Sequence, residues 1–286
     1  MPNPIKPNSP TSMINRRQFL RIAAVAGLAV QSGCARFVNS ATQSSRKKGL
    51  GLTTKTDEWR RKLESIRPQW TYSWGSAKPE STPGGVEFVP MVWGYRNPEN
   101  FLSDLTNVKS SGSRSVLCFN EPDGKKQGNV SVDAAIKAWP ALMESGLRLG
   151  SPACVHPDNA WMVEFMKRAA ALNYRVDFVC VHSYGGPNVA ELVKKLTQTH
   201  ERYGKPLWIT EFAVGDWKAK SVAEHRNPAA NVLAFMKECL PALDELNFLE
   251  RYAWFSAAIT SAPLGTSALF NPDNSLTPLG EFYANH

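Results

Sequence analysis

Short apolar runs alternate with longer amphipathic stretches from residue 49 to the C-terminus, and this alternation constrains the fold more than any other feature. The runs have the length of buried strands, and the stretches between them have the 3.6-residue periodicity of helices that cover a sheet. Strands that alternate with helices form parallel sheets. There are eight runs, at residues 49–53, 69–74, 87–93, 115–120, 148–152, 177–183, 206–210 and 251–256.

Helical patterns separate most of these runs. They cover residues 57–66, 99–110, 132–145, 159–172, 189–203 and 231–246, with a closing helix at 277–284. Thr56 and Ser131 are predicted N-caps. The Pro- and Gly-containing segment 76–86 is too short and broken for a full helix. The pattern predicts an α/β fold, a single (β/α)8 TIM barrel with a degenerate second βα unit. A doubly wound sheet is the alternative, although no G-x-G-x-x-G follows the first run.

The positive charge of the chain is concentrated at its N-terminus. The first 50 residues hold eight of the 33 basic residues and no acidic residue, whereas the rest has 25 basic and 25 acidic residues. Because nucleic-acid binding needs clustered Lys and Arg on the folded domain, a nucleic-acid partner is not expected. Arg16-Arg17 precedes Phe19-Leu20 and an apolar run at 22–30, which resembles a twin-arginine export signal. This run is too short to span a bilayer.

Cys34 follows Ser32-Gly33 at the position where a lipoprotein signal ends, although Gln31 stands where such signals usually have an aliphatic residue. We expect a twin-arginine/lipoprotein-type signal peptide at residues 1–34, lipidation of Cys34, a flexible tether at 35–47 and the folded domain at 48–286. The protein would then be exported to the periplasm or cell surface of a bacterium. Its contact with the membrane would be only through the lipid anchor, and a monomer is expected.

Four further cysteines lie in the predicted domain, at positions 118, 154, 180 and 239. They form no CxxC pair and no cluster with histidine at metal-ligand spacing, so a zinc site is not expected. An exported protein can form disulfides, and the sequence leaves open whether any two of these cysteines pair.

Two of the eight runs lead directly into a glutamate. The fourth continues as Asn120-Glu121-Pro122, and the seventh as Thr210-Glu211-Phe212. In a (β/α)8 barrel the functional residues collect at the C-terminal ends of the strands, so these two carboxyls are expected to face each other. Glycoside hydrolysis uses such a pair, about 5 Å apart in retaining enzymes and further apart in inverting ones. Either glutamate alone could be a salt-bridge partner, but an unpaired carboxylate above a buried strand is costly without a functional reason.

Several motifs in the same order resemble glycoside hydrolase family 128 over residues 48–284. They are Gly49-Leu50-Gly51-Leu52, Tyr72-Ser73-Trp74-Gly75, Pro90-Met91-Val92-Trp93-Gly94, Phe119-Asn120-Glu121-Pro122-Asp123, Gly150-Ser151-Pro152-Ala153, Val181-His182-Ser183-Tyr184-Gly185 and Thr210-Glu211-Phe212. The resemblance implies a retaining endo-β-1,3-glucanase that acts on a β-glucan without a cofactor.

The same resemblance implies roles for individual residues. Glu121 would be the acid/base and Glu211 the nucleophile, while Asn120 would hydrogen-bond the 2-hydroxyl of the attacked sugar. His182 and Tyr184 would orient Glu211. Ser183 departs from the family pattern, in which an aromatic residue is expected between that histidine and tyrosine.

Aromatic residues near the ends of the runs are candidates for stacking on sugar rings. They are Trp74, Trp93, Tyr95, Tyr184 and Trp254. Each of them could equally be a core residue, because large rings also dominate core burial. Trp74 and Trp93 are favoured, since each is at the end of a run and is directly followed by a glycine.

Other functions are compatible with parts of this pattern. The pair of glutamates is shared by hydrolases of other β-linked glycans, so a different β-glycan is one alternative. A catalytically silent glycan-binding lipoprotein is another, suggested by Ser183 and opposed by the presence of both glutamates. A redox or metal enzyme is not expected, because there is no ligand cluster or dinucleotide-binding loop.

Overall fold

The computed structural model describes residues 45–53, 58–95 and 97–286. The described residues form nine parallel strands and seven α-helices. The strands are β1 Lys48–Gly51, β2 Trp70–Tyr72, β3 Glu87–Phe88, β4 Met91–Val92, β5 Ser115–Cys118, β6 Arg148–Leu149, β7 Val179–Gly185, β8 Leu207–Val214 and β9 Leu249–Phe255. The helices are α1 Trp59–Ile66, α2 Pro98–Ser110, α3 Val132–Met143, α4 Ala160–Ala171, α5 Val189–Tyr203, α6 Ala229–Glu245 and α7 Pro278–Asn285.

The strand order confirms the predicted (β/α)8 barrel. One sheet has the order β3-β2-β1-β9-β8-β7 and the other has the order β4-β5-β6. Strands β3 and β4 are the two halves of the third predicted run, divided at Val89-Pro90. Proline has no N–H for a ladder, so pairing is interrupted there. The backbone N–H of Val89 still donates to Thr71 at 2.8 Å, and that of Leu117 donates to the Pro90 carbonyl at 2.9 Å.

A second joint lies between the two sheets on the other side. Here an isolated parallel bridge pairs Gly150, just after β6, with Phe178, just before β7. Counted with β3 and β4 as one, the eight strands of the barrel therefore follow one another in sequence order. The two sheets meet next to Pro90 and at Gly150, where backbone hydrogen bonds still link the neighbouring segments.

The second βα unit is degenerate, as predicted, because residues 73–86 contain no helix. The predicted N-cap at Ser131 is confirmed, since its Oγ accepts from the backbone N–H of Ala134 at 3.2 Å. The predicted cap at Thr56 lies outside the described residues, and α1 begins at Trp59.

Aromatic side chains fill the inside of the barrel. Trp70 and Tyr72 are alternate residues of β2, so both point inward, and their rings stack. Trp74 follows the strand and packs against Tyr72 with its ring tilted, nearer the C-terminal end of the barrel. Near the N-terminal end Trp70 packs against Trp208, with ring centroids 5.3 Å apart. Gly49 on β1 makes room for the Trp70 indole, because a Cβ at this position would lie 2.2 Å from the ring.

Two ion pairs lie at the N-terminal end of the barrel, where the strands begin. Arg251 contacts Glu87 at 2.6 Å, and Arg148 contacts Glu250 at 3.0 Å. The Arg251 guanidinium also lies 4.3 Å from the ring centroid of Trp208, whose indole N–H donates to Glu250 at 2.8 Å. We call Glu87, Arg148, Glu250 and Arg251 the base cluster.

The predicted boundary between tether and domain needs a correction. Residues 1–44, with the predicted signal peptide, Cys34 and most of the tether, lie outside the described residues. Ser45 and Lys47, however, are packed on the domain. Ser45 Oγ donates to Asp244 at 2.6 Å, and Lys47 Nζ donates to the carbonyls of Asp244 and Leu246 at the end of α6. The Lys47 ammonium is favourable at this position, because a helix C-terminus carries partial negative charge. Since Ser45 and Lys47 both contact the end of α6, the domain begins at least three residues earlier than predicted.

All four cysteines of the described residues are buried free thiols. Burial raises the pKa of Cys239 to about 12 and that of Cys118 further still. These thiols are therefore small core side chains. No helix in the described part of the chain is long and apolar enough to cross a bilayer.

Candidate active site

The end of β5 places Glu121 at the C-terminal mouth of the barrel through an unusual backbone. Phe119 and Glu121 have φ angles of 56° and 40°, which bulky residues rarely adopt. The backbone N–H of Glu121 donates to the Ala153 carbonyl at 2.8 Å, which fixes this turn. The chain then folds back, and Gly128 packs against the backbone of Asn120. A Cβ at Gly128 would lie 2.4 Å from the Asn120 carbonyl oxygen, so only glycine fits. Strained backbone held by surrounding contacts is typical of functional sites.

A bulge in β8 places Glu211 beside His182. Val181 pairs with Ile209 and His182 pairs with Glu211, so Thr210 is an extra residue on β8. Two side chains satisfy carbonyls at the bulge. Tyr72 donates its hydroxyl to the Thr210 carbonyl at 2.8 Å, and Lys195 donates to the His182 carbonyl at 2.8 Å. The bulge therefore fixes the position of the Glu211 side chain relative to that of His182 along the barrel axis.

Glu121, His182 and Glu211 form one compact cluster, which we call the mouth cluster. His182 Nδ1 lies 3.1 Å from Glu121 Oε1 and 3.6 Å from Glu211 Oε2. One oxygen of each carboxylate and a ring nitrogen of the histidine all lie within 4.8 Å of one another. This short separation between the carboxyls matches retaining glycosidases, in which no water has to fit between nucleophile and sugar.

Neutral donors surround the Glu211 carboxylate. The indole N–H of Trp74 donates to Oε1 at 2.7 Å, and the Tyr184 hydroxyl donates to Oε2. Burial and the charge of Glu211 raise the pKa of Tyr184 well above its usual range, so this hydroxyl keeps its proton. Glu211 is only 5% exposed. Donated hydrogen bonds favour the anionic form of a buried carboxyl, which is the form a nucleophile needs.

His182 is almost completely buried between the two glutamates. Burial alone would lower the pKa of its imidazole. The charge of Glu211, together with the hydrogen bond and charge of Glu121, outweighs this effect and raises the pKa of His182. Its Nε2 has no partner among the described residues. The imidazole can therefore hold a proton close to both carboxyls.

The three side chains of the mouth cluster are also near enough to one another to bind a metal ion. The hydrogen bonds point to a different use. Trp74 and Tyr184 direct N–H and O–H dipoles at the two oxygens of Glu211, and these positive ends would face a cation placed there. A set of donors aimed at one carboxylate stabilises a free anion, as in a nucleophilic carboxylate.

Comparison with known proteins assigns the chain to a family. The family described as "Glycosyl hydrolase catalytic core" matches residues 49–283. An endo-β-1,3-glucanase of glycoside hydrolase family 128, subgroup I, from Amycolatopsis mediterranei, solved with laminarihexaose, is 31% identical with a TM-score of 0.74. The match covers 84% of this chain and 98% of that one. The chain belongs to glycoside hydrolase family 128.

Further family 128 members have similar structures. A subgroup II endo-β-1,3-glucanase from Sorangium cellulosum is 27% identical, with a TM-score of 0.67 over 83% of this chain and 97% of that one. Among curated proteins, "Alkali-sensitive linkage protein 1" of Schizosaccharomyces pombe (strain 972 / ATCC 24843) is 32% identical over 226 residues. That alignment covers 75% of this chain and 39% of the relative, so the chain spans less than half of that relative's length. The family match over residues 49–283 makes this part of the chain a glycosyl hydrolase catalytic core.

Most of the predicted site residues of this family 128 hydrolase meet at one cleft of about 1670 Å³. The cleft is lined by Trp74, Trp93, Asn120, Glu121, Tyr184 and Glu211. His182 lies beneath these residues and contacts both glutamates. Tyr95 is not among the lining residues and packs edge-on against Phe101 of α2.

Trp254 is a correction to the predicted site. It is fully buried, its indole N–H donates to the Ser267 carbonyl at 2.9 Å, and it packs against Phe212. The next residue, Phe255, lines the cleft instead and contacts Trp74 and Tyr184. Successive side chains of a strand point to opposite sides, so the sequence located the right strand end but chose the wrong one of two neighbouring aromatics.

Sequence analysis missed three further aromatic residues at the site. Tyr72 supports the bulge, Phe255 lines the cleft, and Trp217 lies at its edge. The alternation Trp70, Tyr72, Trp74 was a signal for the first, since it places Tyr72 on the same inward face as Trp74. Trp217 follows β8 in a loop without periodicity, where no pattern distinguishes a site residue from a solvent-exposed one.

Proposed function

We propose that this family 128 hydrolase is a retaining endo-β-1,3-glucanase with Glu121 as acid/base and Glu211 as nucleophile. The observation that carries the proposal is the mouth cluster, in which two carboxyls, one after β5 and one within β8, come within 4.8 Å of each other beside one histidine. The substrate class is supported by the Amycolatopsis mediterranei structure, an endo-β-1,3-glucanase in complex with laminarihexaose. A cleft of about 1670 Å³ that is open to solvent has room for several sugar units.

The first step follows from the different surroundings of the two glutamates. Trp74 and Tyr184 donate hydrogen bonds to both oxygens of Glu211, whose carboxylate attacks the anomeric carbon and forms a covalent bond to the sugar. Glu121 gives its proton to the departing glycosidic oxygen as that bond breaks. The glucan on the leaving side departs with a new hydroxyl group.

In the second step the roles of Glu121 reverse. Its carboxylate takes a proton from a water molecule, whose oxygen attacks the anomeric carbon and releases Glu211. His182, 3.1 Å from Glu121 Oε1, stabilises whichever of the two groups holds the charge at each stage. Two displacements at one carbon restore the original β-configuration.

Asn120 has an unsatisfied group that fits the proposed substrate. Its Oδ1 is buried and has no partner among the described residues. A buried acceptor without a partner is costly, and a hydroxyl of the bound sugar would satisfy it. The 2-hydroxyl is adjacent to the reacting carbon, and a hydrogen bond there can strengthen in the transition state.

We also propose that the protein is exported and held to a membrane by a lipid on Cys34. This proposal rests on Arg16-Arg17, the apolar run at 22–30 and the Ser32-Gly33-Cys34 sequence. Labelling with a radioactive fatty acid tests it: the full chain should carry the label, and Cys34→Ser should lose it.

Hydrolysis of laminarin tests the enzymatic proposal. We expect release of reducing ends by the unaltered protein and at least a 10³-fold lower kcat with Glu211→Gln, because the nucleophile is lost. Glu64→Gln is the matched control, since Glu64 is an exposed glutamate on α1 outside the cleft lining and should leave kcat unchanged. Unchanged hydrolysis by the Glu211→Gln variant would refute the assignment.

The stereochemistry is checked on the same reaction by NMR. The β-anomer should form first, and an initial α-anomer would mean inversion. A panel containing mixed-linkage glucan and xylan identifies the substrate. Hydrolysis of one of these in place of laminarin would keep the mechanism and change the substrate class.

A further inference from the structure

Trp217 combines high exposure with a position at the catalytic cleft. It is 65% exposed, more than any other large hydrophobic residue among the described ones, and it lines the cleft. Its ring packs edge-on against Tyr184, with centroids 5.9 Å apart. Tyr184 in turn donates its hydroxyl to Glu211. One side chain therefore separates Trp217 from the proposed nucleophile, which places it next to the reacting position and not within it.

The loop that carries Trp217 is fixed by the preceding residue. Asp216 is 1% exposed, and its carboxylate accepts from the backbone N–H groups of Lys218 and Arg226 and from Arg226 Nε at 2.9 Å. These hydrogen bonds hold the pKa of Asp216 well below its usual range. The backbone N–H of Asp216 also donates to the Pro263 carbonyl at 2.9 Å. Trp217 is thus an exposed ring on a backbone that is already ordered, so binding a ligand costs little conformational entropy.

The neighbouring cleft wall explains why a ring is useful at this position. Ser183 also lines the cleft and has a small side chain. It stands directly before Tyr184, where sequence analysis expected an aromatic residue. Trp217 contacts that same Tyr184 and offers the cleft an aromatic surface that position 183 does not supply.

An exposed hydrophobic residue by itself needs no explanation. Leu102 shows this, because it is 63% exposed on α2 and does not line the cleft. Trp217 differs from Leu102 in three respects: it lines the cleft, it contacts a side chain bound to Glu211, and its loop is held by a buried carboxylate.

We propose that Trp217 forms a binding subsite for one pyranose ring of the β-glucan, on the side of the sugar that stays attached to Glu211. This rests on the proposed function. The apolar face of a pyranose can cover the exposed indole face and remove both from water. Trp217 reaches Glu211 through Tyr184, whereas Glu121 protonates the departing sugar, so the ring at Trp217 belongs to the retained part of the chain.

The subsite predicts that Trp217 matters for long substrates and not for short ones. We expect Trp217→Ala to lower kcat/KM for laminarihexaose about tenfold, mainly through KM, as for the loss of one well-packed aromatic contact. The loss on laminaritriose should be smaller, because a short chain can bind without this subsite. Trp217→Phe should retain most of the activity. Leu102→Ala, the matched control, should leave both substrates unaffected.

Two results would overturn the subsite: unchanged kcat/KM for laminarihexaose in Trp217→Ala, or an equal loss on laminarihexaose and laminaritriose. Binding measured by calorimetry separates this from failure of the proposed function. In a Glu211→Gln background, Trp217→Ala should weaken laminarihexaose binding about tenfold even if the unaltered protein does not hydrolyse the oligosaccharide. Equal binding by the two Glu211→Gln proteins would reject the subsite.

Discussion

The barrel contains two groups of charged side chains, at its opposite ends and on different strands, and they are built differently. In the base cluster each carboxylate has a guanidinium partner, Glu87 with Arg251 and Glu250 with Arg148. In the mouth cluster two carboxylates lie within 4.8 Å of each other with only a histidine and neutral donors around them. The segment of residues 70–74, which begins with β2, connects the two groups through Trp70, Tyr72 and Trp74.

The difference separates stability from function. Opposite charges in the base cluster attract each other, which offsets part of the cost of burying them. Two carboxyls this close oppose folding when both are ionised, and the proposed reaction needs one anion and one proton donor close together. In (β/α)8 barrels the N-terminal face generally serves stability and the C-terminal face serves catalysis. Removing one carboxylate should therefore lower the free energy of unfolding at the base cluster and leave it unchanged or raise it at the mouth cluster.

The largest effect is expected from Glu121→Ala in the mouth cluster. We expect kcat/KM on laminarin to fall about 10³-fold, because the departing oxygen no longer receives a proton. A β-glucoside with a dinitrophenol leaving group needs no proton and should lose much less. The free energy of unfolding should stay equal or rise, since one of two closely spaced carboxyls is gone. A clear loss of stability would show that the mouth cluster is stabilising, and the contrast with the base cluster would fail.

A smaller effect, on stability alone, is expected from Glu87→Gln in the base cluster. Arg251 would lose its charged partner in a partly buried position, so the free energy of unfolding should fall by about 1–3 kcal/mol. Urea denaturation measures this change. The kcat/KM of the folded protein should not change.

The matched control for Glu87→Gln is Glu64→Gln, which breaks the exposed Arg60–Glu64 pair on α1. It should cost less than about 0.5 kcal/mol. If Glu64→Gln costs as much stability as Glu87→Gln, then the base cluster has no special role.

The smallest effect concerns the pH dependence of stability. Because Glu211 and Glu121 raise the pKa of His182 above its ordinary value of 6.5, the folded protein binds this proton more tightly than the unfolded chain. The resulting stabilisation is complete below pH 6.5 and is lost as the pH rises through the folded pKa. The Tm difference between the unaltered protein and His182→Asn should therefore be more favourable to the unaltered protein in acid than at alkaline pH. A constant difference would mean that the imidazole does not take up this proton.

The positions of the two proposed catalytic glutamates could be predicted because a simple rule places them. Each directly follows a buried apolar run, and parallel strands bring their C-terminal ends to one face of the barrel. The eight runs gave the fold for the same reason. Pro90 was visible in the third run, yet the division of that run into β3 and β4 was not predicted, because pairing with two neighbours is a property of the sheet and not of the run.

Other parts of the site depend on contacts between distant segments. The bulge at Thr210 shifts register by one residue, which no period in the sequence reveals. Trp254 and Phe255 are both aromatic, so composition could not decide which one faces the cleft. The pairing of Glu87 with Arg251 joins residues 164 positions apart, and the Asp216 contacts that hold Trp217 depend on a loop without periodicity.

The two joints in the barrel have a consequence for the enzyme. Glu121 follows β5 in the three-stranded sheet, whereas Glu211 lies on β8 in the six-stranded sheet. Pro90 and Gly150 mark the boundaries between these sheets. The proposed proton donor and the proposed nucleophile therefore belong to different sheets, and His182 contacts both carboxyls. A substitution that shifts one sheet against the other would change the spacing between these two carboxyls.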